Sequence, residues 1–385
     1  MSFVSRNQNQ GLVNLLMNKL NILMIVPNLG ATNGVTTFTM TYYRQLDHNR
    51  IHIDFALICD IGSPYYKEIR DAGGNIFTLP PVIDIVKHKQ QCQKIIHDGH
   101  YDIIVDNSLI LTLPMMICAK KNEIPVRILH SHNTRLSSNL LKSRIERIGL
   151  PLLKNQCTDF CACGRDAGKF LFGKKKFTVI PNVISPDVNK YDTDLRSEIK
   201  LKMGVSDRIV IGTVGRTSPQ KNPYFAIKVI ESLAQKIPNL TYWWIGSGEM
   251  DEELKDYVKA KGLDQIILFW GSRNDVSDFY QAMDIFFLPS LFEGLPVTGV
   301  EAQAFGLPSV VSDTITDEMV YTDLVKYVSL QDSIDAWGVA LEELIKRIPE
   351  RRSYTEELKQ SKFSAEGAGE RLEKLYREML SRNMK

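Results

Sequence analysis

The sequence has no low-complexity tract, no disulfide-like cysteine pattern and, at its amino end, no apolar run long enough to cross a bilayer. With 44% apolar and 24% charged residues, the absence of compositional bias excludes disordered and fibrous proteins. Leu12 to Met17 is apolar except for Asn14, and Asn18 and Lys19 follow at once. That stretch is too short to span, and no small-residue cleavage site follows it, so neither secretion nor a transmembrane anchor is expected. Among the six cysteines, Cys157, Cys161 and Cys163 stand as C-x3-C-x-C, without the second CxxC or the His pair of a zinc site. Buried thiols on a strand are the expectation, and a cytoplasmic location with them. Net charge is nearly absent too, at +2, but this conceals an asymmetry. Residues 1–190 carry 23 Lys and Arg against 14 Asp and Glu, and the remainder carries 24 against 31. A basic half suits an anionic partner, or a basic surface that binds nothing.

What is present is alternation. At 385 residues the chain exceeds one core, and two domains are expected. Apolar strands such as "LNILMIVP", "IHIDFALIC", "YDIIVDNS" and "PVRILH" alternate with helical stretches, and the pattern restarts at "DRIVIGTVGR". Buried strands separated by helices of about ten residues predict a parallel sheet covered on both faces, once in each half. The expected divisions are 20–186 and 187–364, joined by a polar link, "SPDVNKYDTDLRSEIKLKMG". Residues 365–385 form a final helix with either domain to pack against, the amino-terminal one being the expectation. In two such domains a ligand belongs outside the carboxyl ends of the strands.

The residues suited to chemistry fall at such ends. Strand "DIFFLPS" leads into "LFEGLPVTGVEAQAFG", where Pro296 suits the start of a helix and Gly306 its end. The helix amino end favours phosphate. Glu293 lies in the loop before it and Glu301 in its second turn, positions fitted to accept hydrogen bonds from hydroxyls on either side of an anion. A sugar nucleotide has that layout. The plain alternatives are a solvated loop glutamate and one that complements the helix dipole. In "GTVGRTSPQKNP", Arg216 and Lys221 suit a diphosphate and Asn222-Pro223 a helix start, as cap and first residue. Gly30 and Gly34, in "NLGATNGV", let a ligand approach the backbone between the first strand and its helix. His130 and His132, in "RILHSHN", point to one face and suit a phosphate or a sugar hydroxyl; a packed structural histidine fits at least one of them equally well.

Together these motifs resemble the group-1, family-4 glycosyltransferases, from about Asn21 to the final helix. The resemblance rests on the E-x7-E pair Glu293 and Glu301, "GRTSPQKN", "IGSGEMDEEL", "FWGSRNDV", "HSHN", "VIPNVI" and "NLGATNGV", which stand in the family's order. It implies the GT-B fold, two Rossmann-like parallel-sheet α/β domains facing a central cleft, and a place in exopolysaccharide or capsule biosynthesis. The first domain would bind the acceptor and the second the nucleotide-sugar, with UDP as the expected nucleotide. Glu293 would hold donor-sugar hydroxyls and Glu301 the ribose, while Arg216 and Lys221 would neutralise the diphosphate. Gly294, Leu295, Pro296 and Val297 would supply backbone donors. Arg273 would lie near the base, Gly34 would border the diphosphate, and His130 or His132 would approach the transferring sugar. Such enzymes retain anomeric configuration and use neither metal nor cofactor. The Asp-x-Asp of Asp192 and Asp194 falls in the expected link and not at a strand end.

A glycan or a lipid-diphosphate-linked acceptor fits the basic first half, and nucleic acid is not expected. "GKKKF" and "LLKSRIERIGLPLLKN" suit peripheral contact with an anionic membrane. In the second segment Ile145, Ile148, Leu152 and Leu153 are placed on one side, and Lys142, Arg144 and Arg147 towards another. Three rival readings compete with this one. A nicotinamide oxidoreductase would use Asp60, but the first loop lacks G-x-G-x-x-G. A sugar-nucleotide epimerase shares the diphosphate logic and needs no acceptor. A two-lobed solute-binding protein would carry a signal peptide.

Overall fold

The computed structural model describes residues 18–30, 34–134, 140–348 and 351–384. They fall into two compact units, one taking in the chain up to Pro181 and again from Gly367, the other running Asn182–Glu366.

In the first unit strands and helices alternate: β1 Leu20–Val26, α1 Gly34–Gln45, β2 Ile51–Leu57, α2 Tyr66–Asp71, β3 Ile76–Thr78, α3 Ile85–Gly99 and β4 Ile103–Asp106. Then come α4 Leu113–Lys121, β5 Val126–Ser131, α5 Leu140–Lys154, β6 Asp159–Ala162, α6 Arg165–Phe172 and β7 Thr178–Val179. All seven strands are parallel, in the order β3-β2-β1-β4-β5-β6-β7. Residues such as Ile22, Leu23, Ile103, Ile104 and Ile128 are fully buried, because helices cover both faces of the sheet. Cys161 and Cys163 are buried at the end of β6, whereas Cys157 precedes that strand and is half-buried.

The second unit opens with a helix where a link was expected. Helix α7, Thr193–Lys202, is capped by Asp192, whose carboxylate accepts from the amides of Asp194 and Leu195 at 2.9 Å. Its Arg196 reaches the carbonyls of Gln281 and Met283, each at 2.8 Å, and the Asp284 carboxylate. A stretch poor in β-branched residues suits a helix as well as a linker, and only these tertiary partners separate the two. Next come β8 Ile209–Val214, α8 Pro223–Ala234, β9 Leu240–Ile245, α9 Asp251–Ala260, β10 Ile267–Gly271, α10 Val276–Ala282 and β11 Ile285–Leu288. The unit ends with α11 Val297–Ala304, β12 Ser309–Ser312, β13 Val325–Val328, α12 Ile334–Ile345 and α13 Thr355–Gln360. The six strands are parallel in the order β10-β9-β8-β11-β12-β13.

Strand order reverses between β1 and β4 in the first unit and between β8 and β11 in the second. Loops leaving adjacent strands at such a point diverge to opposite faces and open a crevice. The "GRTSPQKN" and "FEGLPV" loops leave β8 and β11. On one side of the second sheet Tyr242, Trp244, Phe287 and Trp337 form the core, and on the other Trp243, Trp270 and Phe279 pack edge to face. The last helix, α14 Ala368–Asn383, belongs to the first unit and packs on α1. A Cβ at Gly369 would stand 1.8 Å from the Gln45 carbonyl oxygen, so no larger residue permits that approach.

Candidate active site

The loop after β8 is held from beneath. The indole of Trp244 donates to the Gly215 carbonyl at 2.9 Å, and the "IGSG" stretch after β9 lies on the same backbone. A Cβ at Gly246 would stand 2.3 Å from Gly215 O, and one at Gly248 would stand 2.4 Å from Thr217 O. The amide of Met250 donates to Thr217 O at 3.1 Å, and the Thr217 hydroxyl donates to Asp251. Gly246 and Gly248 thus serve close backbone approach, the use of glycine that tolerates no side chain.

Above that platform the chain makes a 3-10 turn, Pro219–Lys221, and Asn222 takes a left-handed conformation at φ 55° before Pro223 starts α8. Asn222 therefore stands at the cap position without capping: its side chain accepts no bond from the helix. Its permissive backbone is what the site uses. The kink lays the Lys221 stem over Gly215, where a Cβ would stand 2.8 Å from Lys221 Cε.

Lys221 Nζ meets Glu293 Oε1 at 2.7 Å. Gln220 Nε2 donates to Glu293 Oε2 at 3.1 Å and to Phe292 O at 3.0 Å, and the Leu291 amide donates to Gln220 O at 2.8 Å. The two loops at the switch point are thereby tied together through Gln220. Side-chain exposure of only 13% at Lys221 and 8% at Glu293 makes this an enclosed charge pair, costlier than a surface one to break by removing one partner. Arg216, on the same loop, is exposed and has no ion-pair or hydrogen-bond partner among the described residues.

Pro296 precedes α11 rather than opening it, and no acidic residue or capping side chain occupies the helix amino end. Gly306, at φ 65°, closes the other end: its amide donates to Gln303 O at 3.0 Å and the Leu307 amide to Ala302 O at 2.9 Å. That pair of bonds is a Schellman motif. Gly294, Leu295 and Pro296 are buried and Val297 half-buried, and Asn182 Nδ2 donates to Leu295 O at 3.3 Å. Glu301 accepts from Tyr280 Oη at 2.9 Å, and Tyr280 stacks on Phe305 with centroids 5.2 Å apart. Burial raises the Glu301 carboxyl above the usual carboxylate range, and the Tyr280 bond opposes that rise.

Arg273 is committed to Asp275 through two bonds of 2.8 and 2.7 Å and lies 5.5 Å over the Phe279 ring. Its guanidinium is occupied, so what the loop offers without rearrangement is backbone. The Ser272 amide donates to Ser247 Oγ at 3.0 Å, and the Gly246 amide to Gly271 O at 2.8 Å, joining this loop to the glycine platform.

In the first unit His130 ends β5 enclosed, 2% exposed, with Phe38 edge-on at 4.8 Å and His132 at 4.2 Å between ring centroids. Its Nε2 has no hydrogen-bond partner among the described residues. His132 is half-buried, and its Nε2 pairs with Asn107 Oδ1 at 2.8 Å. Asn107 follows β4, at the switch point of this sheet. Burial lowers both imidazoles, His132 to about 4 and His130 well below 6.5, the latter helped by its neighbour. Burial thus favours the uncharged rings, and His132 serves as a hydrogen-bonding group through Asn107. His130 has no surface to offer a ligand, because the end of β5 turns it into the core. Gly34 opens α1 rather than lying in the loop before it, and a Cβ there would meet nothing within 4 Å among the described residues.

The second unit thus gathers Lys221 and Glu293, with Arg216 on the same loop, beside the open end of α11. Glu301 is held in that helix, and Arg273 stands on a neighbouring loop. Gln220, Tyr280 and Asn107, which hold Glu293, Glu301 and His132, carry no local sequence signal: each meets its partner between 21 and 73 residues away. Among the described residues no group of three or more His, Cys, Asp or Glu is placed to hold a metal ion.

Residues 196–361 match the family described as glycosyl transferases group 1. EpsF of Bacillus subtilis (strain 168), assigned by name to the glycosyltransferases, is 30% identical over 319 residues, spanning 79% of this chain and 83% of that protein. An Escherichia coli enzyme, UDP-Gal:alpha-D-GlcNAc-diphosphoundecaprenol alpha-1,3-galactosyltransferase, is 28% identical over 302 residues, 73% of this chain and 76% of its own. The crystal structure of Anabaena Alr3699/HepE in complex with UDP superposes with a TM-score of 0.74 at 19% identity, covering 92% of this chain and 99% of that one. With two parallel-sheet units and a family relative matched over most of both lengths, the chain belongs to the group 1 glycosyltransferases and has the GT-B fold.

Proposed function

We propose that the protein is a retaining, metal-independent glycosyltransferase of polysaccharide biosynthesis, moving a hexose from a UDP-sugar to a glycan or lipid-diphosphate-linked acceptor. The observation that carries this reading is the enclosed Lys221–Glu293 pair, tied by Gln220 where strand order reverses, beside a helix amino end with no acidic residue in its first turn. Such a place suits an anion flanked by hydroxyls. The UDP bound in the Anabaena structure, and the UDP-galactose and diphosphoundecaprenol in the Escherichia coli enzyme's name, support the same donor and acceptor classes.

Cleaving the bond between the anomeric carbon and the phosphate oxygen builds negative charge on the diphosphate and positive charge on the sugar ring. Arg216, Lys221 and the amides from Gly294 to Val297 stabilise the first, and fixed donors of this kind are usually the largest contribution to catalysis. Glu293 shares Lys221 with the diphosphate while accepting from sugar hydroxyls, and Glu301 accepts from the ribose. Of the two histidines, His132, half-buried and oriented by Asn107, is the one with surface to offer a sugar hydroxyl. The acceptor hydroxyl attacks on the face the diphosphate leaves, and its proton passes to the departing phosphate oxygen. The two units divide the work as donor and acceptor domains, and the protein acts at the cytoplasmic face of the membrane.

A screen of UDP-, GDP- and ADP-sugars by thermal shift and slow donor hydrolysis tests this. A UDP-sugar is expected to raise the melting temperature and to release UDP slowly without acceptor. Conversion of the donor to its epimer with no UDP released would instead establish the epimerase, and a shift with NAD or NADP alone would establish the oxidoreductase.

A further inference from the structure

Three helices of the first unit, α3, α4 and α5, follow β3, β4 and β5 and pack side by side, α3 on α4 and α4 on α5. Because their strands are parallel, all three start near the carboxyl edge of the sheet, where β5 delivers His130 and His132. This layer is unusually apolar on its outer side. The turn into α3 leaves Val82, Ile83, Ile85 and Val86 exposed in one short stretch, with Ile83 at 95%. Leu111 and Ile117 are exposed along α4 and the turn before it. On α5 Ile145, Ile148 and Leu152 face outward, Ile148 at 76%. They stand three and four residues apart, which makes one continuous stripe.

The same helix corrects the expectation that Leu153 shares that stripe. Leu153 is fully buried with Leu150, and Gly149 lies against Ile110. The core therefore takes the Leu150–Leu153 side and leaves three large aliphatics exposed among the described residues. Isolated exposed aliphatics are ordinary; nine on one layer of three adjacent helices are not.

Charge tells what would cover them. Arg144 and Arg147 flank the α5 stripe, exposed and without ion-pair partners among the described residues. Lys89, Lys120 and Lys121 are likewise exposed and outside any ion pair on this layer. The acids are mostly spent: Asp84 pairs with Lys87 at 3.0 Å, Asp98 pairs with Lys94 at 2.8 Å, and Glu146 is buried. Lys174, Lys175 and Lys176 are exposed in the same unit. An aliphatic stripe bordered by unpaired cations matches a surface that is apolar within and anionic at its headgroups.

We propose that the α3–α4–α5 layer is a docking face for an anionic lipid bilayer, with the Val82–Val86 turn and the Ile145–Ile148–Leu152 stripe entering the headgroup region. This rests on the lipid-linked acceptor proposed above, and it adds which face meets the bilayer: the Val82–Val86 turn and Leu111 lie at the sheet edge that carries His132, and the α5 stripe runs along its helix away from that edge. A diphosphate acceptor held in that bilayer would stay near the headgroups while its chain remained in lipid.

The test is co-sedimentation of the full chain with vesicles of phosphatidylcholine, alone or mixed with phosphatidylglycerol, at low and high salt. Binding to the mixed vesicles that weakens with salt is expected, and Ile83→Ser with Ile148→Ser should weaken it at least about tenfold with an unchanged melting temperature. Arg144→Glu with Arg147→Glu should remove the preference for anionic vesicles. Indifference of the unsubstituted protein to anionic vesicles would overturn the proposal, as would equal binding by the variants. It would also fall if the isoleucine substitutions abolished a dimer seen by light scattering and left vesicle binding intact. Transfer to a short-chain, water-soluble diphosphate acceptor separates the two readings. The docking face stands if the isoleucine variants keep that transfer and lose the vesicles. If vesicle binding behaves as expected but no lipid-diphosphate is glycosylated, the face stands and the acceptor falls.

Discussion

Lys221 and Glu293 cannot be judged apart, because each is the other's counter-charge at 2.7 Å in a nearly closed setting. Lys221→Ala would strand a carboxylate still held by Gln220. Transfer is expected to fall by about 10²–10³-fold as a diphosphate contact disappears, and the second unit should lose roughly 2–3 kcal/mol, less than a fully buried pair broken on one side. Glu293→Gln keeps shape and removes the charge, so its stability loss should be smaller. Single-turnover rates and urea unfolding check both. Glu301 makes a pH-dependent prediction. Its folded pKa is raised by burial, with Tyr280 pulling the other way. The folded form holds a proton that the unfolded chain has already released. The stabilisation from Glu301 is therefore full below the unfolded pKa and is lost as pH rises through the folded value. In the proposed ribose contact the hydroxyls would donate to the ionised form, so nucleotide affinity should rise with pH across that window. Glu301→Gln should flatten the rise and weaken binding about tenfold, as expected for losing a charged acceptor. Calorimetric titration at several pH values measures this, and an unchanged slope would remove Glu301 from the ribose contact.

At the scale of elements, the site depends on loops stacked backbone on backbone. Gly248→Ala would push a methyl group to 2.4 Å from Thr217 O and lift the Arg216–Lys221 loop off its platform. A loss of roughly 2 kcal/mol in stability is expected, in the ordinary range for overpacking, with a fall in donor affinity that Gly262→Ala should not reproduce. Gly262, at φ 68°, has nothing within 4 Å of its Cβ position, so its substitution carries backbone strain alone. Chemical denaturation beside nucleotide titration separates the two. This explains what could be read from the chain and what could not. The strands were legible because β1, β4, β8, β9 and β11 are apolar runs with clear ends, and the α11 boundaries because Pro296 and Gly306 punctuate them. The residues 193–202 were read as a link because helix and linker share their composition, and only the bonds of Arg196 to 281–284 decide for a helix. Asn222 has the composition of a side-chain cap but takes a left-handed turn, and the crossing of Lys221 over Gly215 that accompanies it has no local signal. Tyr280 and Gln220 escaped for the same reason. Leu153 was placed with the wrong neighbours because a helical wheel gives spacing and not which side meets the core.

The molecule as a whole is two units with separate cores, and the chain returns to the first of them to finish it. Helix α14 buries Leu372, Tyr376, Met379 and Leu380 against the first unit. It is pinned at both ends: Glu373 joins Arg50 at 2.7 Å and Arg377 at 2.8 Å, and Arg382 reaches Asp159. Each of those four side chains contributes about 1.5–3 kcal/mol on burial, so together they rival the roughly 5–15 kcal/mol that holds a domain folded. Calorimetry of the full chain should therefore resolve two transitions, and a saturating UDP-sugar should move the one belonging to the second unit, by about 2.7 kcal/mol at a hundredfold excess over Kd. A chain ending at Glu366 should keep that nucleotide-sensitive transition and lose the other, even though every residue removed lies beyond the donor site. If the shortened chain still melted in two steps at unchanged temperatures, α14 would be a passenger on the first unit. If the nucleotide moved both steps equally in the full chain, the two cores would be unfolding as one.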